Sequence, residues 1–390
     1  MTNYDYIILG AGASGLMLAY RMALDEFFDD KSILIIDKET QKGNDRTWCF
    51  WENGIGEWDG ILTKTWSKIY FGSDNFKREI NILPYQYKMI RSKDFYNSLW
   101  DIVCKKSNFT FQLTNITSFQ ETKSGAEVVT VEREGITGPI LKETKYQCKK
   151  VFTSLSNFEA FNFQEKYPVI NQHFLGWFIK TEDAVFDDTT ATFMDFTVPQ
   201  KGNTRFMYVL PLDTKTALIE YTLFSKNLLS RSDYEAAIKQ YLTEKGINNY
   251  RIIESEIGSI PMTSYKFSQL NTKHILNIGT AGGWTKASTG YTFRNTSKNT
   301  RALVEFLKTD NDLRKFHKKS KFWFYDLIFL DVLANHNEEG AVLFASMFKK
   351  ADVKTIFKFL DEESTIYEDL RIILSVPPKR FIQSFFKRLF

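Results

Sequence analysis

Two groups of residues in this 390-residue chain are of a type and spacing that could do chemistry: a glycine-rich turn and a carboxylate among apolar and aromatic neighbours. Gly10, Gly12 and Gly15 stand as Gly-x-Gly-x-x-Gly, directly after the apolar run Ile7-Ile8-Leu9 and directly before Leu16-Met17-Leu18-Ala19. In such an arrangement Gly10 makes the tight turn, Gly12 lets a pyrophosphate approach the backbone and Gly15 lets a helix pack on a strand. The phosphates would meet unpaired amides and the positive end of the helix dipole. A second apolar strand, Ile33-Leu34-Ile35-Ile36, ends in Asp37, an acid able to accept hydrogen bonds from ribose hydroxyls. The carboxylate is Glu220, at the end of Thr216-Ala217-Leu218-Ile219 and followed by Tyr221 and Phe224. An exposed glutamate titrates near 4.3, but burial among such neighbours raises that value and leaves a proton to give near neutral pH. The plainer alternative is a strand carboxylate that points outward. Asp195, in Phe193-Met194-Asp195-Phe196, is a second carboxylate in an aromatic setting, able to tune a pocket or to cap a strand.

The elements that must position these groups follow from local pattern. Strand, glycine turn, helix, strand and acid predict a Rossmann-type βαβ unit at the N-terminus. A second segment, Gly279-Thr280-Ala281-Gly282-Gly283, follows the apolar strand His274-Ile275-Leu276-Asn277-Ile278. FAD is long enough to need such a second backbone contact, so the pair of segments favours FAD over NAD. Arg91, ahead of Ser92-Lys93-Asp94-Phe95, could position flavin phosphate or ribose, or simply flank a helix. Residues 1–65, 88–159 and 262–300 read as the FAD-binding domain of an α/β protein. Alternating runs in 66–87 and 160–261, such as Phe206-Met207-Tyr208-Val209-Leu210, read as an antiparallel sheet that covers the flavin and forms the substrate pocket. Residues 301–390 read as helical.

Composition narrows the class. With 43% hydrophobic and 25% charged residues, disorder and fibrous architectures are excluded. Three scattered cysteines argue against a disulfide framework, and no Cys/His cluster has metal-ligand spacing. No run of about 18 apolar residues is present to span a bilayer, and no signal peptide is evident, so the expected location is cytoplasmic. A net charge of +4 is too slight to indicate nucleic acid. Its distribution is uneven: residues 371–390 hold Arg371, Lys379, Arg380, Lys387 and Arg388 with no acid. Phe381, Ile382, Phe385, Phe386, Leu389 and Phe390 fall on one face of a helix there. A basic amphipathic helix is either a membrane-surface element or a terminal helix docked on the core.

Longer segments carry a specific likeness. Asn44-Asp45-Arg46-Thr47-Trp48-Cys49-Phe50-Trp51-Glu52, Phe206 to Leu212, Leu218 to Ser225, Gly258-Ser259-Ile260-Pro261-Met262 and Ile278 to Tyr291 together resemble the bacterial lycopene beta-cyclase family, in order and in spacing. The resemblance implies a hydroxylase-like flavoprotein fold that binds FAD, with Arg46, Gly279, Thr280, Gly282 and Gly283 at the cofactor. It also implies conversion of the linear psi-ends of lycopene, or of other acyclic-end carotenoids, to beta-ionone rings, by way of gamma-carotene to beta-carotene. In that chemistry the flavin acts reduced, NAD(P)H supplies electrons and there is no net redox change. Glu220 is then the catalytic acid, with Tyr221 where relatives carry a second acid. Tyr208, Trp284, Tyr291 and Phe293 become candidates to line a pocket for a carbocation, and the basic tail a peripheral contact with the cytoplasmic membrane. The competing expectation is an FAD-dependent monooxygenase or reductase acting on an isoprenoid or other apolar substrate. A carotenoid carrier without catalysis is a third.

Overall fold

The computed structural model describes residues 2–40, 42–134, 138–155, 161, 163–316 and 320–389. Phe390 lies outside the described residues. The chain begins with β1 (Thr2–Leu9), whose Ile7, Ile8 and Leu9 are fully buried. It sits between β2 (Ile33–Asp37) and the end of β11 (Ile140–Thr153), parallel to both. β8 (Phe109–Leu113) extends the sheet beyond β2, and β17 (Ile275–Asn277) adds to β11, again in parallel. The rest of β11 turns antiparallel through β10 (Ala126–Arg133) to β9 (Asn115–Glu121). Every residue of β2 is buried, the pattern of a strand covered on both faces. One cover is helical: α1 (Ala13–Leu24) packs against α2 (Ser92–Val103) and α4 (Phe293–Thr309), with Leu16, Met17, Phe95 and Leu303 in the shared core.

The second sheet has the order β16 (Tyr250–Thr263), β12 (Val169–Thr181), β15 (Thr216–Ser225), β14 (Thr204–Pro211), β13 (Thr190–Asp195), β5 (Lys68–Ser73), β6 (Phe76–Asn81). Neighbours are antiparallel except β13 and β5. Because side chains alternate along a strand, each strand serves two layers. Leu175, Trp177, Met207, Ile219 and Tyr221 face α3 (Arg231–Glu244). Phe206, Tyr208, Leu210, Leu218 and Phe224 face the opposite way, toward a three-stranded sheet of β3 (Thr47–Asn53), β7 (Tyr85–Arg91) and β4 (Lys64–Trp66). A large share of the chain's aromatic residues fills this layer, including stacked Trp51 and Phe357 with ring centres 4.8 Å apart.

The C-terminal segment is helical: α5 (Lys321–Asn335), α6 (Gly340–Lys350), α7 (Val353–Leu360), α8 (Ile366–Ser375) and α9 (Pro378–Leu389). Buried ions hold it to the rest. Lys286 Nζ lies 2.9 Å from Asp326 and 3.2 Å from Glu362, and Arg294 pairs with both Glu52 and Asp361 at 2.7 Å. The tail helix α9 docks through Phe381, which packs on the core with its ring centre 6.2 Å from that of Phe329, and through polar residues beside it. Ser384 is buried against Asp331, Arg388 pairs with Asp331 and Arg380 with Glu339. Ile382, Phe385, Phe386 and Leu389 are left exposed. The tail is therefore docked on the chain's own core, with part of its apolar side left exposed. No helix among the described residues is long and apolar enough to cross a membrane.

Candidate active site

The glycine turn is built as its spacing requires. Gly10 has φ +94°, in the left-handed region, where β1 gives way to α1. A Cβ on Gly15 would lie 1.9 Å from the Gly10 carbonyl oxygen, so helix and turn meet there only through glycine. Around Gly12 nothing lies within 4 Å of where a Cβ would stand, leaving space at the helix N-terminus for a phosphate. Asp37 braces the turn: its carboxylate accepts from the Ala11 amide at 2.6 Å and pairs with Lys42 at 3.1 Å. Gly279, at φ +62°, brings the second glycine segment against α1, where a Cβ would lie 2.4 Å from Ser14 Oγ. The Thr280 hydroxyl is 3.1 Å from that of Thr285.

From this junction a cavity of about 430 Å³ runs to the antiparallel sheet. Gly12, Ser14, Lys42, Arg46, Gly279 and Thr280 line one end; Glu220, Glu256, Tyr208, Tyr291, Leu218 and Ile260 line the other. Arg46 is exposed at the mouth, and its backbone amide is held by the Ser92 hydroxyl at 3.0 Å. The cavity thus joins the glycine turn to a buried acid.

The acid has a partner. Glu220 on β15 and Glu256 on β16 both lie opposite Gly176 of β12, one on each side. They are two strands apart, roughly 9–10 Å of backbone. Their side chains meet over Gly176, which has none: a Cβ there would lie 3.2 Å from Glu256 Cγ and 3.5 Å from Glu220 Cβ. The two carboxyls share a hydrogen bond. Burial, then the neighbouring Glu256, push the Glu220 carboxyl well above the ordinary range, although Thr222 donates to it at 2.7 Å. Glu256 is also raised by burial, but a 2.8 Å bond from the Thr47 hydroxyl and the charge of Arg91 act to stabilise its ionised form. The shared hydrogen bond raises Glu220 and lowers Glu256, which makes Glu220 the O–H donor of the bond and Glu256 its acceptor. The Cys49 thiol beside them is pushed up by burial and by the two acids. The phenols Tyr208 and Tyr291, 3.4 Å apart, are raised by burial as well, so these groups face the acid neutral.

Other expected site residues lie elsewhere. Asp195 is fully buried, but on the opposite face of the sheet. Its strand registers with Met207, which faces α3, whereas Glu220 registers with Tyr208. Asp195 accepts from Tyr241 of α3 at 2.8 Å and from the Thr197 hydroxyl at 2.7 Å, a structural role. Arg91 is not at the glycine turn; it pairs with Glu254 and lies 3.9 Å over the Phe178 ring, acting on Glu256 by its charge. Gly282 and Gly283 turn the chain away from the cavity. A Cβ on the first would lie 2.1 Å from the Asn277 carbonyl oxygen, and on the second 2.7 Å from Phe267. Trp284 goes with them and packs toward Phe316, while Tyr208, Tyr291 and Phe293 do line the cavity. Glu256 is the residue that sequence reasoning missed. Glu256 stands two residues ahead of the segment Gly258 to Met262.

Fold and cavity define a flavoprotein-type α/β architecture. Solved structures of the same shape include a geranylgeranyl bacteriochlorophyll reductase-like protein from Thermoplasma acidophilum, with TM-score 0.60, 11% identity and 98% of each chain covered. A flavin-dependent brominase matches with TM-score 0.62 and 13% identity over 99% of this chain and 100% of its own. The profile of the family described as lycopene cyclase protein matches residues 5–385, and the chain belongs to that family. Among curated proteins, the lycopene beta-cyclase of Pantoea ananas is 26% identical over 277 residues, 67% of this chain and 63% of the relative. That of Pseudescherichia vulneris is 24% identical over 275 residues, 66% of this chain and 62% of the relative. The matched stretch thus spans somewhat under two thirds of either relative's length.

Proposed function

We propose that the chain is an FAD-dependent lycopene beta-cyclase in which Glu220 supplies the proton that starts ring closure. The observation that carries this is a buried carboxyl, its pKa raised by burial and by Glu256, in an aromatic cavity that also reaches the glycine turn. Glu220 gives its proton to the terminal double bond of a psi-end: an O–H bond breaks, a C–H bond forms and a tertiary cation results. The next double bond closes the ring onto that cation. A proton lost from a ring carbon returns to the carboxylate, so oxidation state and protonation balance. Tyr208, Tyr291 and Phe293 offer electron-rich faces to the cation, each contact worth ~0.5–2 kcal/mol where water is excluded. Gly12, Ser14 and Thr280 are suited to hold FAD, given the open space at Gly12 and the single cavity these residues line. When bound and reduced, with NAD(P)H as electron source, the flavin supplies negative charge beside the cation.

Lycopene is insoluble in water, so a route from the membrane is part of the proposal. Leu374 is 77% exposed, Ile366 70% and Phe386 54%. With Leu389 they give α8 and α9 an apolar surface flanked by the exposed cations Arg371, Lys379 and Lys387. Such a surface suits peripheral contact with the cytoplasmic face of an anionic membrane.

The test is expression in a bacterial host that accumulates lycopene, followed by pigment separation. Gamma- and beta-carotene are the expected products. Unchanged lycopene alongside folded, flavin-loaded protein refutes the proposal.

A further inference from the structure

Resting on the reading of Glu220 as proton donor, we infer that Glu256 is its positioning residue, an ionised partner that accepts the hydrogen bond of Glu220's proton, fixes its direction and keeps it in place. The geometry carries this. The two acids come from strands that do not touch, and they meet because the strand between them carries glycine at the crossing. A glutamine at either position could make the same hydrogen bond without a second titrating group. Two carboxylates in contact cannot both ionise in a dry site, so the pair holds one proton.

The surroundings decide which member holds it. From β3 the Thr47 hydroxyl donates to Glu256, and from β7 the Arg91 guanidinium acts on it by charge, opposed in part by Glu254, with which Arg91 pairs. From β15, Thr222 donates to Glu220. Cys49, Tyr208 and Tyr291 complete the shell as neutral groups, and they bring no cation to Glu220. Negative charge is therefore best placed on Glu256, which aims the Glu220 proton along the shared bond until substrate enters.

The test uses full-length, flavin-loaded protein and the variants Glu220→Gln, Glu256→Gln and Glu256→Asp. Two readouts are followed against pH: lycopene conversion, and the infrared band of a protonated carboxyl in substrate-free protein. Glu220→Gln should lose both the band and activity at every pH. Glu256→Gln should keep the band but move its midpoint, and the alkaline limb of activity, acidward by about one pH unit or more, since the neighbouring charge is gone. Glu256→Asp should bring both back toward the parent. An unmoved or alkaline-shifted midpoint in Glu256→Gln overturns the inference, as does an equal loss of activity at all pH values with the band unchanged. If Glu256→Gln fails to fold, Gly176→Ala takes its place, moving the acids slightly apart without removing either, and a smaller shift in the same acidward direction is required of it. Should Glu220→Gln stay fully active, the parent reading falls; should only Glu256→Gln be silent, this one falls alone.

Discussion

Gly176→Ala puts the proton pair to a steric test. The alanine Cβ would stand 2.9 Å from Leu218 Cδ1, 3.2 Å from Glu256 Cγ and 3.5 Å from Glu220 Cβ. The Leu218 methyl is the end of a flexible side chain and can swing aside; the Glu256 stem must give by a few tenths of an ångström. Overpacking of this kind costs about 1–3 kcal/mol. The lost chain entropy of glycine in the unfolded state returns about 0.4–1 kcal/mol. A net destabilisation of about 0.5–2 kcal/mol remains, a fall in Tm of a few degrees at most for a chain of this size. At assay temperature the protein stays folded, so stability alone should not touch the rate. Misplacing a reacting group by 1 Å costs about 10²-fold, so a shift of a few tenths should cost about 3- to 30-fold. The measurements are a thermal scan, flavin absorbance as a check on loading, and lycopene conversion across pH. Activity within twofold of the parent with an unmoved alkaline limb, despite a lowered Tm, would show that contact over Gly176 does not govern proton delivery.

Glu220→Gln should retain flavin while conversion falls by about 10²- to 10⁴-fold, the usual contribution of a positioned general acid. In the parent, the raised Glu220 carboxyl donates only below its folded pKa, so activity is lost as pH rises through a value well above the ordinary glutamate figure of about 4.3. The sign for stability is the same: the folded state binds the extra proton, so this contribution is complete below the unfolded value and is lost as pH rises through the folded one, a slope that Glu220→Gln should flatten in urea titrations. Lys286→Met leaves Asp326 buried without its cation and should cost about 3–5 kcal/mol by urea denaturation, with much of the loss regained in the double variant Lys286→Met/Asp326→Asn. Ile382→Ser with Phe386→Ser should weaken binding to anionic vesicles by more than tenfold, from loss of about 1.5–3 kcal/mol per fully buried side chain, while Tm changes little because both side chains are more than half exposed. Unchanged vesicle flotation would remove α9 from the membrane contact.

What could be read from the sequence was what local spacing determines. The turn at Gly10, Gly12 and Gly15 is set within a few residues, and so is its place between β1 and α1. The face of Asp195 was not legible, because parity depends on register: β13 slips against β14 between Thr192 and Asp195, and that slip decides which layer the carboxylate enters. Gly282 and Gly283 belong to the same run as Gly279, yet one tight turn sends them to the other side. Amphipathicity gave α9 two faces without saying which would dock, since Asp331 and Glu339, which take Arg388 and Arg380, lie 57 and 41 residues away.

Glu256 is the instructive omission, because it is distant from Glu220 both in the chain and in the hydrogen-bond ladder. Its one sequence signal was Gly176 in the middle of the apolar run Phe174 to Ile179, where glycine weakens a strand and so marks a close approach of other groups. Read with the register of all three strands, that glycine is a gap one side chain wide, bordered by an acid on either side. A strand interior that gives up a side chain where two buried carboxyls converge has exchanged packing for a proton held away from water.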